Sequence, residues 1–277
     1  MSAVDALRDG DVDRALTELQ DEVRASPDEP RHRIFLFQLL SVLGQWERAL
    51  TQLHVVRDLD PGAIAMVRTY EAVLQCEALR QRVFAGEKTP LILGDPEPWV
   101  AELVEALRLS AQGDAEAARR LREHAYEEAP ASAGTLSCAG DPQCATGGTD
   151  ADFAWLADAD TRLGPILEAI VNGRYYWVPL ARIKQVNIDA PEDLRDVVWL
   201  PARFLWTNEG EAVGMIPTRY PGSERSDDGQ IQLARRTEWH QPTEGAYEGI
   251  GQRLLATDQG EYAIMNVRQI RFAEPVR

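Results

Sequence analysis

The sequence predicts an α+β protein in which tetratricopeptide-like helical repeats precede a mostly antiparallel, β-rich carboxy-terminal half. Three observations carry this expectation. A glycine, alanine, leucine and proline frame recurs at fixed spacing in the first 130 residues. The second half breaks into short runs rich in β-branched and aromatic residues. Between them, 131–150 is rich in Gly, Ala, Ser and Thr and has no periodicity. The expected division is therefore a helical-repeat domain at 1–130, a linker at 131–150 and an α+β domain at 151–277.

The repeat is clearest at Gly44, Ala49, Leu50, Leu53 and Pro61, and Gly10, Ala15, Leu16, Leu19 and Pro27 lie 34 residues before them. The frame returns at Gly113, Ala118 and Pro130, 69 residues after Gly44, Ala49 and Pro61. Glycine suits a left-handed turn between antiparallel helices, alanine permits close helix approach, and proline ends the unit. Phe37 stands where such a repeat usually carries a small residue, and the first unit has only a short leading helix, as a cap would.

In order, 2–26 reads as a short and a longer helix, 30–60 as a helix pair, 62–85 as one long helix and 99–129 as a third pair. Pro90, Pro96 and Pro98 mark the connector before that pair, and 161–172 reads as a further helix closed by Gly173. Strands are expected at 175–178, 181–188, 197–206, 212–216, 230–239, 252–257, 262–266 and 269–272, with hairpin turns at 208–210 and 258–260.

Composition narrows the function. The formal net charge is −16, with 24 acidic and 15 basic residues in 1–130 and 21 and 14 in 131–277, so neither half suits nucleic acid or an anionic membrane. The amino terminus lacks the basic and apolar regions of a secretory signal, and no apolar run approaches the ~20 residues of a membrane span. A cytoplasmic protein is expected. Cys76 fits an apolar helical pattern. Cys138 and Cys144 are too few for zinc, and a disulfide between them would be incidental in a reducing compartment.

The β-rich half carries a denser signal. Phe153, Trp155 to Pro165 (with Asp158 and Asp160), the run Val171-Asn172-Gly173-Arg174-Tyr175-Tyr176-Trp177-Val178-Pro179, Asp193 to Asp196, Trp199, Ile216 to Ser223 (with Arg219 and Tyr220), Arg236 to Trp239 and Gly251 to Leu255 together resemble the ImpE/TagJ family, also called SciE-type proteins. The resemblance covers about 152–272, and the repeat half fits the family's helical amino-terminal part. It implies a cytoplasmic, non-enzymatic accessory protein of type VI secretion. It further implies binding to a helix near the amino terminus of the small contractile-sheath subunit, and a link to the sheath-disassembly ATPase.

A concave repeat face can receive such an amphipathic helix through apolar anchors. In the second unit Arg31, Ile34, Gln38, Ser41 and Val42 are expected to point to that face, although Ile34 and Val42 also fit a packed core. Ile34 and Gln38 do not make a carboxylate clamp. Asp158 and Asp160 read as helix caps, and the alternation of a strand sends Tyr175 and Trp177 to one face and Tyr176 to the other. Ser223 lacks the second glycine of a nucleophile elbow, and no catalytic, cofactor or metal-ligand constellation stands out. A second reading stays open: a small-molecule-binding or hydrolytic β domain, centred on Asp158, Asp160, Arg174, Tyr175 and Arg236, that the repeats recruit.

Overall fold

A computed structural model describes residues 2–139 and 150–273. The first half holds α1 (Ala3–Asp9), α2 (Val12–Ala25), α3 (Pro30–Val42), α4 (Trp46–Leu59), α5 (Ile64–Phe84), the short strand β1 (Leu91–Ile92), α6 (Pro98–Ala111) and α7 (Ala115–Glu128). The frame glycines turn the chain as their spacing demands, with φ of +86° at Gly10, +65° at Gly44 and +86° at Gly113. Ala15, Ala49 and Ala118 are 0% exposed at the tight helix contacts. Ser2 starts α1 with a capping box to Asp5, which stabilises a helix of only seven residues.

The second half holds β2 (Gly134–Cys138), β3 (Ala151–Phe153), β4 (Leu156–Asp158), β5 (Ile166–Val171), β6 (Arg174–Pro179), β7 (Ile183–Ile188), β8 (Trp199–Trp206), β9 (Glu211–Pro217), α8 (Gly229–Gln232), β10 (Thr237–Thr243), β11 (Ala246–Gly251), β12 (Leu254–Thr257), β13 (Glu261–Ala263) and β14 (Val267–Phe272). Nine strands form one sheet in the order β1-β6-β5-β9-β8-β7-β14-β2-β3. All its pairings are antiparallel except that of β1 with β6. β13-β12-β4 make a smaller sheet, and β10-β11 a separate ribbon.

Three expectations are corrected. Residues 161–172 do not form a helix, because Ile166–Val171 is β5, buried on both faces and paired with β6 and β9. A short run apolar on both faces carries no period that separates strand from helix. At 230–239 the chain first makes α8, whose Asp228 cap accepts from the Gln230 N–H, and becomes strand only at Thr237. The expected linker contains β2, which pairs with both β14 and β3. Cys138 ends that strand and is disulfide-bonded, while Cys144 lies outside the described residues.

Two apolar clusters hold the fold together. One joins the helices to the sheet, bringing Phe37, Val67, Tyr70 and Leu103 against Tyr175, Trp177 and Trp199. The other lies on the sheet's opposite face, where Leu167, Val178, Leu200 and Phe204 meet Leu255 of the smaller sheet. The alternation in β6 follows: Tyr175 and Trp177 face the helices, and Tyr176 packs on the second cluster. Helix α3 is covered from both sides, so Leu36 to Val42 are buried without a break.

Candidate functional site

The contact between α5 and the sheet is electrostatic as well as apolar. Four carboxylates (Glu77, Asp158, Asp160, Glu168) and three guanidiniums (Arg80, Arg219, Arg253) are at most 5% exposed. A fourth, on Arg162, is 11% exposed and chelates Asp160. Burying such charges costs several kcal/mol per ion unless each is paired and hydrogen-bonded.

Glu168, in the middle of β5, is the hub. Arg80 grips it with Nε at 2.6 Å and Nη2 at 2.9 Å, and Tyr175 donates its hydroxyl at 2.5 Å. Arg253 binds Glu168 through Nη2 and Asp158 through Nη1, and its Nε donates to the Pro217 carbonyl at 2.9 Å. Trp177 Nε1 donates to the Tyr175 oxygen, and Trp199 Nε1 to Glu77, both at 2.8 Å. Asp158 also accepts from the Asp160 N–H at 2.9 Å and the Tyr220 hydroxyl at 3.0 Å. Asp160 caps a turn, accepting from the Arg162 N–H at 2.9 Å, and not a helix.

Burial and the neighbouring charges shift these groups in different directions. Burial opposes ionisation of Glu168, but Arg80 and Arg253 outweigh it and bring its carboxyl down to about 2. At Asp158 burial, reinforced by Asp160 and Glu168, outweighs Arg253 and pushes the carboxyl up to about 6. Burial lowers Arg219 to about 10.

Arg219 is bound by carbonyls instead of carboxylates. It donates to the Val42 oxygen at 2.8 Å, the Ser41 oxygen at 3.4 Å and the Gln232 oxygen at 2.5 Å. A cation thus sits at the negative ends of α3 and α8. Arg235 does the same for α1, donating to the Leu7 and Arg8 carbonyls at 2.9 and 3.1 Å. The β-rich half therefore ties down the ends of two repeat helices.

This seam decides where the sequence-expected residues stand. Gln38, Ser41 and Val42 are 6%, 0% and 0% exposed, so that stretch of α3 is covered by the chain itself. Arg31 is exposed and Ile34 half-buried at the other end of the helix. Asp158, Asp160, Tyr175, Trp177, Trp199, Arg219 and Tyr220 all belong to the buried seam. Tyr176 is half-buried, and Trp239, 37% exposed, lays its ring 5.5 Å from that of Tyr220. Arg174 is exposed, and Arg236 pairs on the surface with Asp228 and Glu238. The five residues of the hydrolytic or small-molecule reading therefore do not converge on one open cavity. Ser223 is 1% exposed and occupied in turn bonds to the Tyr220 carbonyl and the Gly251 N–H. Among the described residues no group of three or more His, Cys, Asp or Glu could hold a metal ion.

Glu77, Arg80 and Glu168 were missed in the sequence, though each left a signal. Glu77 and Arg80 occupy the apolar stripe of α5 that runs from Val67 and Tyr70 to Val83, and Glu168 interrupts the apolar run of β5. A charge in an apolar stripe calls for a buried partner; Glu77 and Arg80 pair three residues apart, but the partners that complete the set lie 85 to 122 residues away.

The family model described as ImpE protein matches residues 150–271. The Type VI secretion system accessory component TagJ of Pseudomonas aeruginosa is 48% identical over 272 residues, covering 98% of this chain and 91% of that protein. The crystal structure of protein VPA1032 from Vibrio parahaemolyticus has the same fold, with a TM-score of 0.85 at 24% identity, over 99% of this chain and 98% of that one. On this full-length similarity, together with the family match across the β-rich half, the chain belongs to the ImpE/TagJ family.

Proposed function

We propose that the protein is a cytoplasmic, non-enzymatic accessory component of a type VI secretion system, which binds the small subunit of the contractile sheath through an amphipathic helix of that subunit. The observation that carries the proposal is the similarity of nearly the whole chain, repeats and β-rich half together, to the accessory component TagJ. Two features support it. The seam's carboxylates are each engaged by an arginine or by Trp199, so none of them is presented to a substrate in an open cavity. No helix among the described residues is long and apolar enough to cross a membrane.

The contact surface on α3 is proposed at its accessible end, Arg31 and Ile34, because Gln38, Ser41 and Val42 serve the interior. A link to the sheath-disassembly ATPase belongs to the same reading. The test is a titration of the full chain into a labelled peptide spanning the amino-terminal helix of the small sheath subunit. Saturable binding weakened by Ile34→Asp in a chain with native circular dichroism supports both partner and surface. Unchanged affinity in that variant removes the surface, and no binding to the wild type removes the partner.

A further inference from the structure

A cleft of about 420 Å³ opens where α5 meets the loop between β7 and β8. It is within the usual range of ligand clefts, about 300 to 1,000 Å³. Its walls carry Tyr70, Asp189, Glu192, Asp193 and Asp196, with Arg195 and Arg203 as the cations. Arg203 is held by Asp189 at 3.0 Å, and Arg195 is held by Asp193. With both cations neutralised, Glu192 and Asp196 remain, and the cleft carries two uncompensated negative charges.

Two side chains on its wall each leave a polar atom free at the cleft. Tyr70 is 5% exposed; its ring is sandwiched by Phe37, Trp199 and the Arg195 guanidinium, yet its hydroxyl makes no hydrogen bond among the described residues. Asp196 is also 5% exposed, and its Oδ2 takes the Glu192 and Asp193 N–H groups, both at 2.8 Å, leaving Oδ1 unbonded. The rest of each side chain is packed away, so the free hydroxyl and the free carboxylate oxygen stay open to the cleft, where one bound donor can meet both. Burial pushes the Tyr70 hydroxyl up to about 12, so it stays neutral and can accept a hydrogen bond from a cation.

We infer that this cleft receives a basic side chain, lysine or arginine, presented by a partner protein. The cation would donate to Asp196 Oδ1 and to the Tyr70 oxygen, with Glu192 at the rim. Charge selects a cation over an anion. The mostly charged wall selects a side chain over a free small amine: apart from Tyr70, only Ala190 and Pro201 could hold a small ligand by apolar contact, whereas a docked partner supplies the side chain at high effective concentration. The inference goes beyond the sheath assignment and holds whichever protein presents the side chain.

The test follows ring and amide resonances of the isotope-labelled full chain during titration with N-acetyl-arginine methylamide and its neutral counterpart N-acetyl-citrulline methylamide. The expected result is a saturable response of Tyr70 and of residues 189 to 196 to the arginine probe alone. Tyr70→Phe keeps the ring and removes only the hydroxyl at the cleft, so it should leave the melting temperature unchanged and weaken the probe about fivefold. Glu192→Gln, at an exposed position, should weaken it as well. Equal responses to both probes, no saturable response, or unchanged affinity in both variants would overturn the assignment. Tighter binding of inorganic phosphate would overturn its sign, and tighter binding of putrescine than of the arginine probe would overturn the partner side chain. Repeating the titration with the sheath peptide separates the two proposals: a peptide that binds wild type and Tyr70→Phe equally leaves the partner intact and puts its contact elsewhere.

Discussion

The turns at Gly44 and Gly113 share a sequence frame and a left-handed backbone, and they meet different fates. A Cβ on Gly44 would lie 2.4 Å from Glu224 Cγ, and one on Gly10 would lie 2.2 Å from Gln230 Nε2, whereas one on Gly113 would meet nothing within 4 Å. Ion pairs show a related contrast between α5 and the third helix pair. Arg80 of α5 reaches Glu168 in the sheet, while Arg108 of α6 and Arg119 of α7 pair with Glu105, Glu116 and Glu123 on their own helices. The comparison teaches that the repeat frame sets the local turn and leaves open whether that turn becomes an interface. The first two units are joined to the β-rich half, and the turn of the third is open.

The largest way to break this contrast is to remove a seam cation. Arg253→Met leaves Asp158 and Glu168 buried with one partner fewer, and an expected loss of about 3 to 5 kcal/mol in urea unfolding follows. Arg119→Ala, whose ion pairs lie on the surface of α7, should leave the unfolding midpoint where it was. Similar losses from both would show that the seam is no more stabilising than a surface pair.

Next come the two glycines. Gly113→Ala pays only the left-handed backbone, about 1 to 2 kcal/mol, while Gly44→Ala adds the overlap with Glu224 and should reach about 2 to 4 kcal/mol. Thermal unfolding of the pair measures the difference, and Glu224→Ala in the Gly44→Ala chain should recover part of it. Equal melting points would mean that the covered turn is no tighter than the open one.

Ala49→Phe sharpens the comparison within one helix pair. Ala49 is 0% exposed between α3 and α4, so the larger ring should cost roughly 1 to 3 kcal/mol, against a nearly neutral change at exposed Glu47. Indistinguishable variants would displace the repeat register.

The last effect is a slope. Asp158 has its folded value raised from 3.8 to about 6, so the folded state binds the extra proton between those values and loses stability as pH rises from about 4 to 6. Glu168 is lowered from 4.5 to about 2, so its contribution is present above about 4.5 and is lost as pH falls towards 2. Asp158→Asn should flatten the melting-temperature slope between pH 4 and 6 and leave the acid side intact. An unchanged slope in that variant would move the titration to another group.

Much of the fold was legible because its signals are local. The 34-residue spacing located Gly10 and Gly44, and alternation placed Tyr175 and Trp177 on the face opposite Tyr176. Turn chemistry found the hairpins at 208–210 and 258–260. The misreadings fell where periodicity is silent. Ile166–Val171 is buried on both faces and reads as helix or strand alike, and β2 is held mainly by backbone pairing to distant strands.

The sequence by itself therefore determined the repeat turns, most strand positions, the acidic balance and the family motifs, since each is written in residues a few positions apart. Only the tertiary structure decided that Glu168 and Asp158 share Arg253, that Arg219 and Arg235 cap α3 and α1, and that Gln38, Ser41 and Val42 lie beneath the chain's own second half. The physical reason is range. A hydrogen-bonded turn is specified by its own backbone, but the charges shared through Arg253 are satisfied only by partners the fold brings from 85 or more residues away.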